Sequence, residues 1–342
     1  CEDVRAAGRR IAPLLPSTPS VYSRTRGGWL KLECHQPTGA YKVRGALNAL
    51  TVRARRGDRR TVVAASAGNH GAGVAWAAAR LGLRAVVVVP AHAPTNKIAR
   101  IRSLGAHVEV RGDSFEQSLG WAHCEARRRD WCLLHAFDDP DVIAGQGTIA
   151  LELVDLQPDL VLVPIGGGGL ASGVSLMMRS FGIPVVGVQV EGVDAMAQWL
   201  RGGRPRIDAR PTVADGLRVN EPGHLTRTLC RDGLDDIVLV TEEEVKQTMV
   251  SLVTNEGLWV EGAGAVAVAG MRHVTSRRPV AVVTGGNVDL SVIQGLMDNA
   301  RNGRSDAFEN RRCTQTTGGA DAQQSGFRIS PAERVRHRID HA

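Results

Sequence analysis

The sequence predicts an α/β protein built from two open, mostly parallel sheets. Three observations carry that prediction. Short Val-rich runs alternate with longer amphipathic stretches through the middle of the chain. The runs are apolar at nearly every position, as strands covered by helices on both faces require. There are also more strand–helix units than one small sheet needs.

Taken in order, WLKLE (29–33) reads as an alternating strand in which Lys31 is unremarkable. TVVAAS (61–66) is a buried strand followed by an Ala-rich helix. RAVVVVP (84–90) is a strand, with a helix from about Asn96 to Leu104 after it. HVEVRG (107–112) precedes a helix around Phe115 to Arg128. LVLVPIG (160–166) and PVVGVQVEG (184–192) are strands with a helix between them, and PVAVVTGG (279–286) is the last clear strand. Residues 1–300 read as the structured part, with a smaller subdomain over about 45–145 and the remainder in a larger one. Residues 301–342 are polar and lack apolar periodicity. They read as a mostly disordered tail with a short helix near Pro331–Ile339, and not as a regulatory domain.

Bulk composition narrows the function. A chain of 342 residues with 43% hydrophobic and 23% charged residues can bury a sizeable core. A net charge of +7 raises the question of nucleic acid. The basic clusters RRGDRR (55–60) and RRR (127–129) have no interleaved aromatics and no accompanying motif, so they read as solvated faces. The six cysteines form no CxxC pair and no tight spacing with His, which points away from zinc and from a disulfide framework. Reduced thiols in a cytoplasmic protein fit best. No apolar run reaches membrane-spanning length and no signal-peptide pattern opens the chain. No nucleic-acid or membrane partner is expected.

Of the 42 basic residues only four are lysines: Lys31, Lys42, Lys97 and Lys246. Lys97 sits near an Arg-rich helix start and Lys246 on the acidic helix around TEEEVK. Lys42, in QPTGAYKVRGALNAL (36–50), stands between a Gly turn and a small-residue run. Three strand-to-helix turns give it a context, because ligands of open α/β sheets bind where strands end. PIGGGGLASG (164–173) leaves several backbone N–H groups unobstructed at a helix start, the chemistry of a phosphate cradle. Its plainer reading is a flexible turn. ASAGNHGAGVAWAAA (65–79) offers Ser66, Asn69 and His70 at another helix start and could hold a carboxylate. Simple N-capping explains one of those residues, not three. TGGNVDLS (284–291) places Thr284 at the end of a buried strand, where it could hydrogen-bond a ligand or simply close a turn. A phosphate cradle, a carboxylate loop and a lysine suggest pyridoxal 5'-phosphate and an amino acid. Only a primary amine condenses with that cofactor's aldehyde, which a guanidinium cannot do.

QPTGAYKVRGA (36–46), ASAGNHGAGVA (65–75), PIGGGGLASG (164–173) and TGGNVDL (284–290), in that order, resemble the threonine/serine dehydratases. These are fold-type II pyridoxal-phosphate enzymes of the tryptophan-synthase β kind. HAFDDPDVIAGQGTIALEL (135–153), TVADGLRV (212–219) and EGAGAVAVAG (261–270) look like the same family, so the resemblance covers about residues 2–300. It implies that Lys42 is the Schiff-base lysine and the base that removes the Cα proton. Asn69 would bond the cofactor's ring oxygen. Gly166, Gly167, Gly168 and Gly169, with the Leu170 amide, would hold the phosphate. Ser66, Asn69 and His70 would hold the substrate carboxylate, Thr284 would face the pyridine nitrogen, and Tyr41 would flank the cofactor. The implied reaction is β-elimination of water, protonated by the cofactor phosphate, then release of ammonia and a 2-oxo acid. Threonine would give 2-oxobutanoate and serine pyruvate. A homodimer is likewise implied.

Departures narrow the resemblance. Racemases of this fold carry a Ser just before GNH, on the opposite face; here the residue two before Asn69 is Ala67. Members with a divalent cation use a Glu and an Asp six residues on; Glu191 is present but Ala197 follows, so no metal is expected. The tail is too short and too polar for the regulatory domain of the biosynthetic enzymes. Thr284 stands where dehydratases more often have Ser or Cys, which leaves another β-eliminating lyase as the main alternative. Gly166-x-Gly168-x-x-Ala171 with Glu191 also fits a dinucleotide fingerprint, and so a nicotinamide-dependent dehydrogenase. A non-catalytic binder on the same fold is a further alternative.

Overall fold

The computed structural model describes residues 1–208 and 210–301. Cys1–Met297 form one compact unit, whose architecture follows. Of the other unit, Asp298–Ala342, residues 298–301 are described, and they are helical and exposed. The polar tail and its helix near Pro331–Ile339 lie, past Arg301, outside the described residues.

The chain begins with helix α1 (Glu2–Ile11), the antiparallel pair β1 (Ser20–Ser23) and β2 (Gly28–Leu32), and helix α2 (Lys42–Arg55). Strands β3 (Val62–Ala65), β4 (Ala85–Val89), β5 (His107–Val110) and β6 (Cys132–Leu133) follow, separated by α3 (Asn69–Arg80), α4 (Thr95–Ser103) and α5 (Phe115–Arg128). Then come α6 (Pro140–Leu151), β7 (Leu160–Pro164), α7 (Gly169–Arg179), β8 (Val185–Val190), α8 (Ala195–Leu200) and α9 (His224–Gly233). The chain continues with β9 (Asp236–Val240), α10 (Glu242–Glu256), α11 (Gly262–Gly270) and β10 (Pro279–Val283).

Two sheets result. A four-stranded sheet, ordered β5-β4-β3-β6, is parallel throughout. A six-stranded sheet, ordered β1-β2-β10-β7-β8-β9, is parallel except where β1 meets β2. The continuous apolar runs have the predicted cause. In β7, Leu160 and Leu162 enter a core shared with α11, whereas Val161 and Val163 enter one shared with α7. In β3, Val62 and Ala64 pack with α2 and α3, and Val63 and Ala65 pack beneath Ala122 of α5. Side chains alternate between faces, so a strand with helices on both sides needs apolar residues everywhere.

Several features differ from the sequence reading. Strands β1, β6 and β9 are absent from it: β1 is a four-residue edge strand, β6 has two residues, and β9 is an edge strand with Asp236 exposed at its start. The strand WLKLE does not alternate, since Leu30, Lys31 and Leu32 are all buried. Lys31 is tolerated there because its Nζ donates to the Thr18 carbonyl and to Glu152, each at 2.6 Å. The same buried patch holds Arg44, two residues beyond Lys42, whose guanidinium meets Glu33 twice and Glu152 once. Two cations and two carboxylates thus anchor the first turn of α2, satisfying one another away from water.

Candidate active site

The loops that carry the four motifs all leave the carboxyl ends of strands, where ligands of open sheets bind. The segment before Lys42 is laced to the turn after β10. Tyr41 N–H donates to the Thr284 carbonyl at 3.0 Å, Gly286 N–H donates to the Gly39 carbonyl at 2.9 Å, and Ala40 bridges Gly285. Lys42 opens α2, and its Nζ donates to the Ala136 carbonyl at 3.0 Å. Among the described residues it makes no ion pair, and burial lowers its pKa from 10.5 to about 8. The ring of Tyr41 lies 5.3 Å from Nζ, and burial, reinforced by the charge of Glu261, raises the Tyr41 phenol well above its ordinary range.

Helix α7 starts in the glycine run, with Gly168 as N-cap and no side chain capping it. The N–H groups of its first turn have no intrahelical partner, so they are donors available to an anion. Gly168 has φ of +94°, which L residues with a side chain rarely adopt. At Gly167 the obstacle is Phe137: a Cβ would run into its ring. Leu170 follows, buried, in the first turn. Helix α3 starts the same way, with Gly68 as N-cap and no side-chain cap. The N-capping alternative for Ser66 and Asn69 is therefore not what the structure uses. Ser66 Oγ accepts instead from Gly68 N–H at 3.1 Å.

Asn69 and His70 are already engaged. Asn69 Nδ2 donates to Glu261 at 2.6 Å, and its Oδ1 accepts from Asn287 Nδ2 at 2.6 Å. His70 Nε2 meets the Leu134 carbonyl at 3.1 Å; a carbonyl only accepts, so this nitrogen carries the proton. Its Nδ1 is a buried lone pair without a partner among the described residues. Burial, then the nearby Lys42 charge, lowers the His70 pKa to about 3, so the ring is neutral. Such a ring cannot donate to a carboxylate; what this residue can offer one is its main-chain N–H. Thr284 is buried, and its Oγ1 donates to the Ala263 carbonyl at 3.1 Å. Its oxygen can therefore accept from a ring N–H as it stands, and can donate to a bare ring nitrogen only by turning away from Ala263.

The strip 134–138 holds these parts together, and the sequence reading assigns it no role. Leu134 receives His70, and Ala136 receives Lys42. His135 Nδ1 accepts the N–H groups of Phe137 and Asp138, at 3.3 and 2.8 Å. Phe137 backs Gly167. The Asp138 carboxylate accepts the N–H groups of His224, Leu225 and Thr226 at the start of α9, at 2.9 to 3.1 Å. Thr226 Oγ1 in turn donates to the Gly167 carbonyl at 2.6 Å. A second omission is Glu261, buried at the start of α11, whose carboxyl burial pushes up to about 7. A lone acid opening the otherwise apolar EGAGAVAVAG is the available signal. Ala67, Asn69, Arg100, Asp215, Glu261 and Asn287 line a cleft of about 250 Å³ beside this site.

A single uncompensated amine with a lowered pKa, between two helix starts whose N–H groups are not capped by side chains, is suited to carry an aldehyde cofactor with an anionic tail. The donor set fits pyridoxal 5'-phosphate: a primary amine, an oxyanion cradle that a Cβ would obstruct, and a hydroxyl at a strand end.

Comparison with known proteins agrees. The family model described as "Pyridoxal-phosphate dependent enzyme" matches residues 8–285. An L-threonine ammonia-lyase of Thermotoga maritima is 40% identical over 311 residues, 87% of this chain and 78% of that protein. The solved threonine deaminase of T.th. superposes with a TM-score of 0.79 at 35% identity, covering 84% of this chain and 98% of that one. Maize serine racemase gives 0.81 at 30% identity, covering 89% and 98%.

Proposed function

Because the chain belongs to the pyridoxal-phosphate dependent enzyme family, we propose that it is a lyase converting L-threonine, L-serine or both to a 2-oxo acid and ammonia. The observation that carries this reading is Lys42: a half-buried amine whose hydrogen-bond partner among the described residues is the Ala136 carbonyl, one residue from the Phe137 that backs Gly167. Membership of the family sets aside the dinucleotide reading of Gly166–Ala171.

The residues divide the work as follows. Gly166, Gly167, Gly168 and Gly169, with the Leu170 amide, would hold the cofactor phosphate. Tyr41 would flank its ring, and Asn69 and Thr284 would meet its edge. When bound, the cofactor supplies an aldehyde that condenses with amines and a ring that draws electrons from the attached carbon. Lys42 would anchor it and, as a free amine, would take the Cα proton at Nζ. With a pKa near 8 a useful fraction of this amine is unprotonated at neutral pH. The main-chain N–H groups of the Ser66–His70 loop would bind the substrate carboxylate. Ala67 puts a methyl group where a second base would have to stand, which favours elimination over racemisation. The carboxyl and amide groups around the cleft suit a small polar amino acid.

A homodimer working in the cytoplasm completes the proposal. No helix among the described residues is long and apolar enough to cross a membrane.

The test is the visible absorption spectrum of the purified protein before and after borohydride, with a peptide map of the reduced sample. A yellow protein whose adduct maps to Lys42, and which releases 2-oxobutanoate from L-threonine, is the expected result. A protein that stays colourless with added pyridoxal phosphate, or a K42A variant that still releases 2-oxo acid, would overturn it.

A further inference from the structure

Asn69 is the last amide of a hydrogen-bond chain that crosses from one sheet's loops to the other's. It begins at Arg100 in α4. A guanidinium only donates, and it gives one N–H to the Thr38 carbonyl at 2.8 Å and another to Asn287 Oδ1. That fixes the Asn287 amide, since its oxygen must face the guanidinium. Its nitrogen then donates to the Thr38 carbonyl at 2.9 Å and to Asn69 Oδ1 at 2.6 Å. With its oxygen facing a donor, Asn69 gives one N–H to Glu261 Oε1 at 2.6 Å. The chain starts on a group that cannot accept and ends on a carboxyl oxygen that can. Every amide along it therefore has one orientation, and among the described residues Asn69 is left with one uncommitted N–H.

We infer that Arg100, Asn287 and Glu261 are positioning residues, forming a one-way relay that makes Asn69 present an N–H rather than a carbonyl to the bound cofactor. This rests on the cofactor reading above. An N–H suits an oxygen that carries negative charge on the cofactor ring; an Asn69 carbonyl turned to the same place would repel it. The arrangement matters because an asparagine amide is nearly symmetric in shape, so packing alone does not choose between its two faces. The four side chains come from α3, α4, the start of α11 and the turn after β10, so their relative placement also joins the two sheets across the cleft. Thr38, whose carbonyl receives two of the donors, lies four residues before Lys42 in the same segment.

The deciding substitution is N287D. Aspartate keeps the acceptor for Arg100 but has no N–H, so it sets oxygen against both the Thr38 carbonyl and Asn69 Oδ1, and the Asn69 amide must turn over. The affinity of the cofactor-stripped protein for pyridoxal phosphate, followed by fluorescence, is expected to fall about 10-fold or more, the scale of one buried hydrogen bond replaced by a repulsion. The visible band of the bound cofactor should shift, and kcat should fall more than KM rises. R100M should weaken binding by about 3- to 10-fold, and R100K, which restores a donor, should recover part of it. E261Q, which can either donate or accept, should broaden the visible band, whereas E261D should not. If the wild type takes up the cofactor at Lys42 while N287D, folded by circular dichroism, matches it within about twofold in affinity and in spectrum, the relay is wrong. If the wild type takes up none, the cofactor reading itself fails.

Discussion

Arg44 grips Glu33 through two guanidinium nitrogens, at 2.7 and 2.8 Å, and neither side chain meets water. Burial alone would raise the Glu33 pKa, but the Arg44 charge and hydrogen bonds, with Thr18 and Lys31, bring it below its ordinary value. Removing one partner leaves an uncompensated buried charge. R44M should cost about 3–5 kcal/mol of stability, read by chemical denaturation. The pH dependence has a definite sign. A lowered folded pKa gives stability that is present above the unfolded value near 4.5 and lost as pH falls below it. Wild type and R44M should therefore converge in acid, and a gap that persists unchanged down to about pH 2 would contradict this account.

The half-buried Lys42 gives the same direction of pH dependence in the cofactor-free protein, but as a penalty relieved in alkali rather than a gain lost in acid. Its folded pKa of about 8 lies below the ordinary 10.5, so the unfolded chain binds the extra proton between those values. The penalty is full below pH 8 and fades as pH rises through 10.5. K42M should melt higher than wild type at about pH 7, by about 2–4 °C for each kcal/mol relieved, and the two should meet above pH 10.5. Equal melting temperatures at neutral pH would mean that the amine is better solvated than the structure shows.

At Gly167 the Phe137 ring leaves no room for a methyl group. G167A should lower cofactor affinity by about 10- to 100-fold, in line with overpacking costs of about 1–3 kcal/mol. Pairing it with F137A should restore part of the loss. Titration of the apoproteins with pyridoxal phosphate checks both, and additive losses in the double variant would rule out the proposed contact.

Asp138 is the remote cap of α9. D138A should cost about 0.5–2 kcal/mol of stability, as lost caps do. Because Thr226 ties α9 to the Gly167 carbonyl, the same change should also loosen cofactor binding. D138N, which keeps an acceptor oxygen, should do less of both. Loss of stability without loss of affinity would separate the cap from the cradle.

Much of this is legible in the sequence, for identifiable reasons. Both sheets can be read because β3, β4, β7, β8 and β10 bury two faces, and so are written as nearly uninterrupted apolar runs. Strand β9 fails that test, since DIVLV is an edge strand with a charged first residue. Lys42 and the glycine run stand out because their chemistry is local: one amine among arginines, and four residues without side chains. Arg100, Asn287 and Asp138 do not, because each derives its role from a partner far along the chain. Lys31 is misread for the same reason, its partner Glu152 lying 121 residues away. The His70 ring is assigned to a carboxylate because sequence gives the residue and not its tautomer, which the Leu134 carbonyl decides.

The strip 134–138 limits how this protein can be recombined. It leaves β6 of one sheet and enters α6, and on the way its neighbours include the lysine, the histidine and the backing of the glycine turn. The two halves are consequently not interchangeable modules. A chimera joined between β6 and α6 would take the tether for Lys42 from one parent and the support for Gly167 from the other. Its crossover would have to preserve register to the residue. A junction in the loop between β8 and α8 would leave that strip intact, and is where shuffled libraries of this fold should be cut.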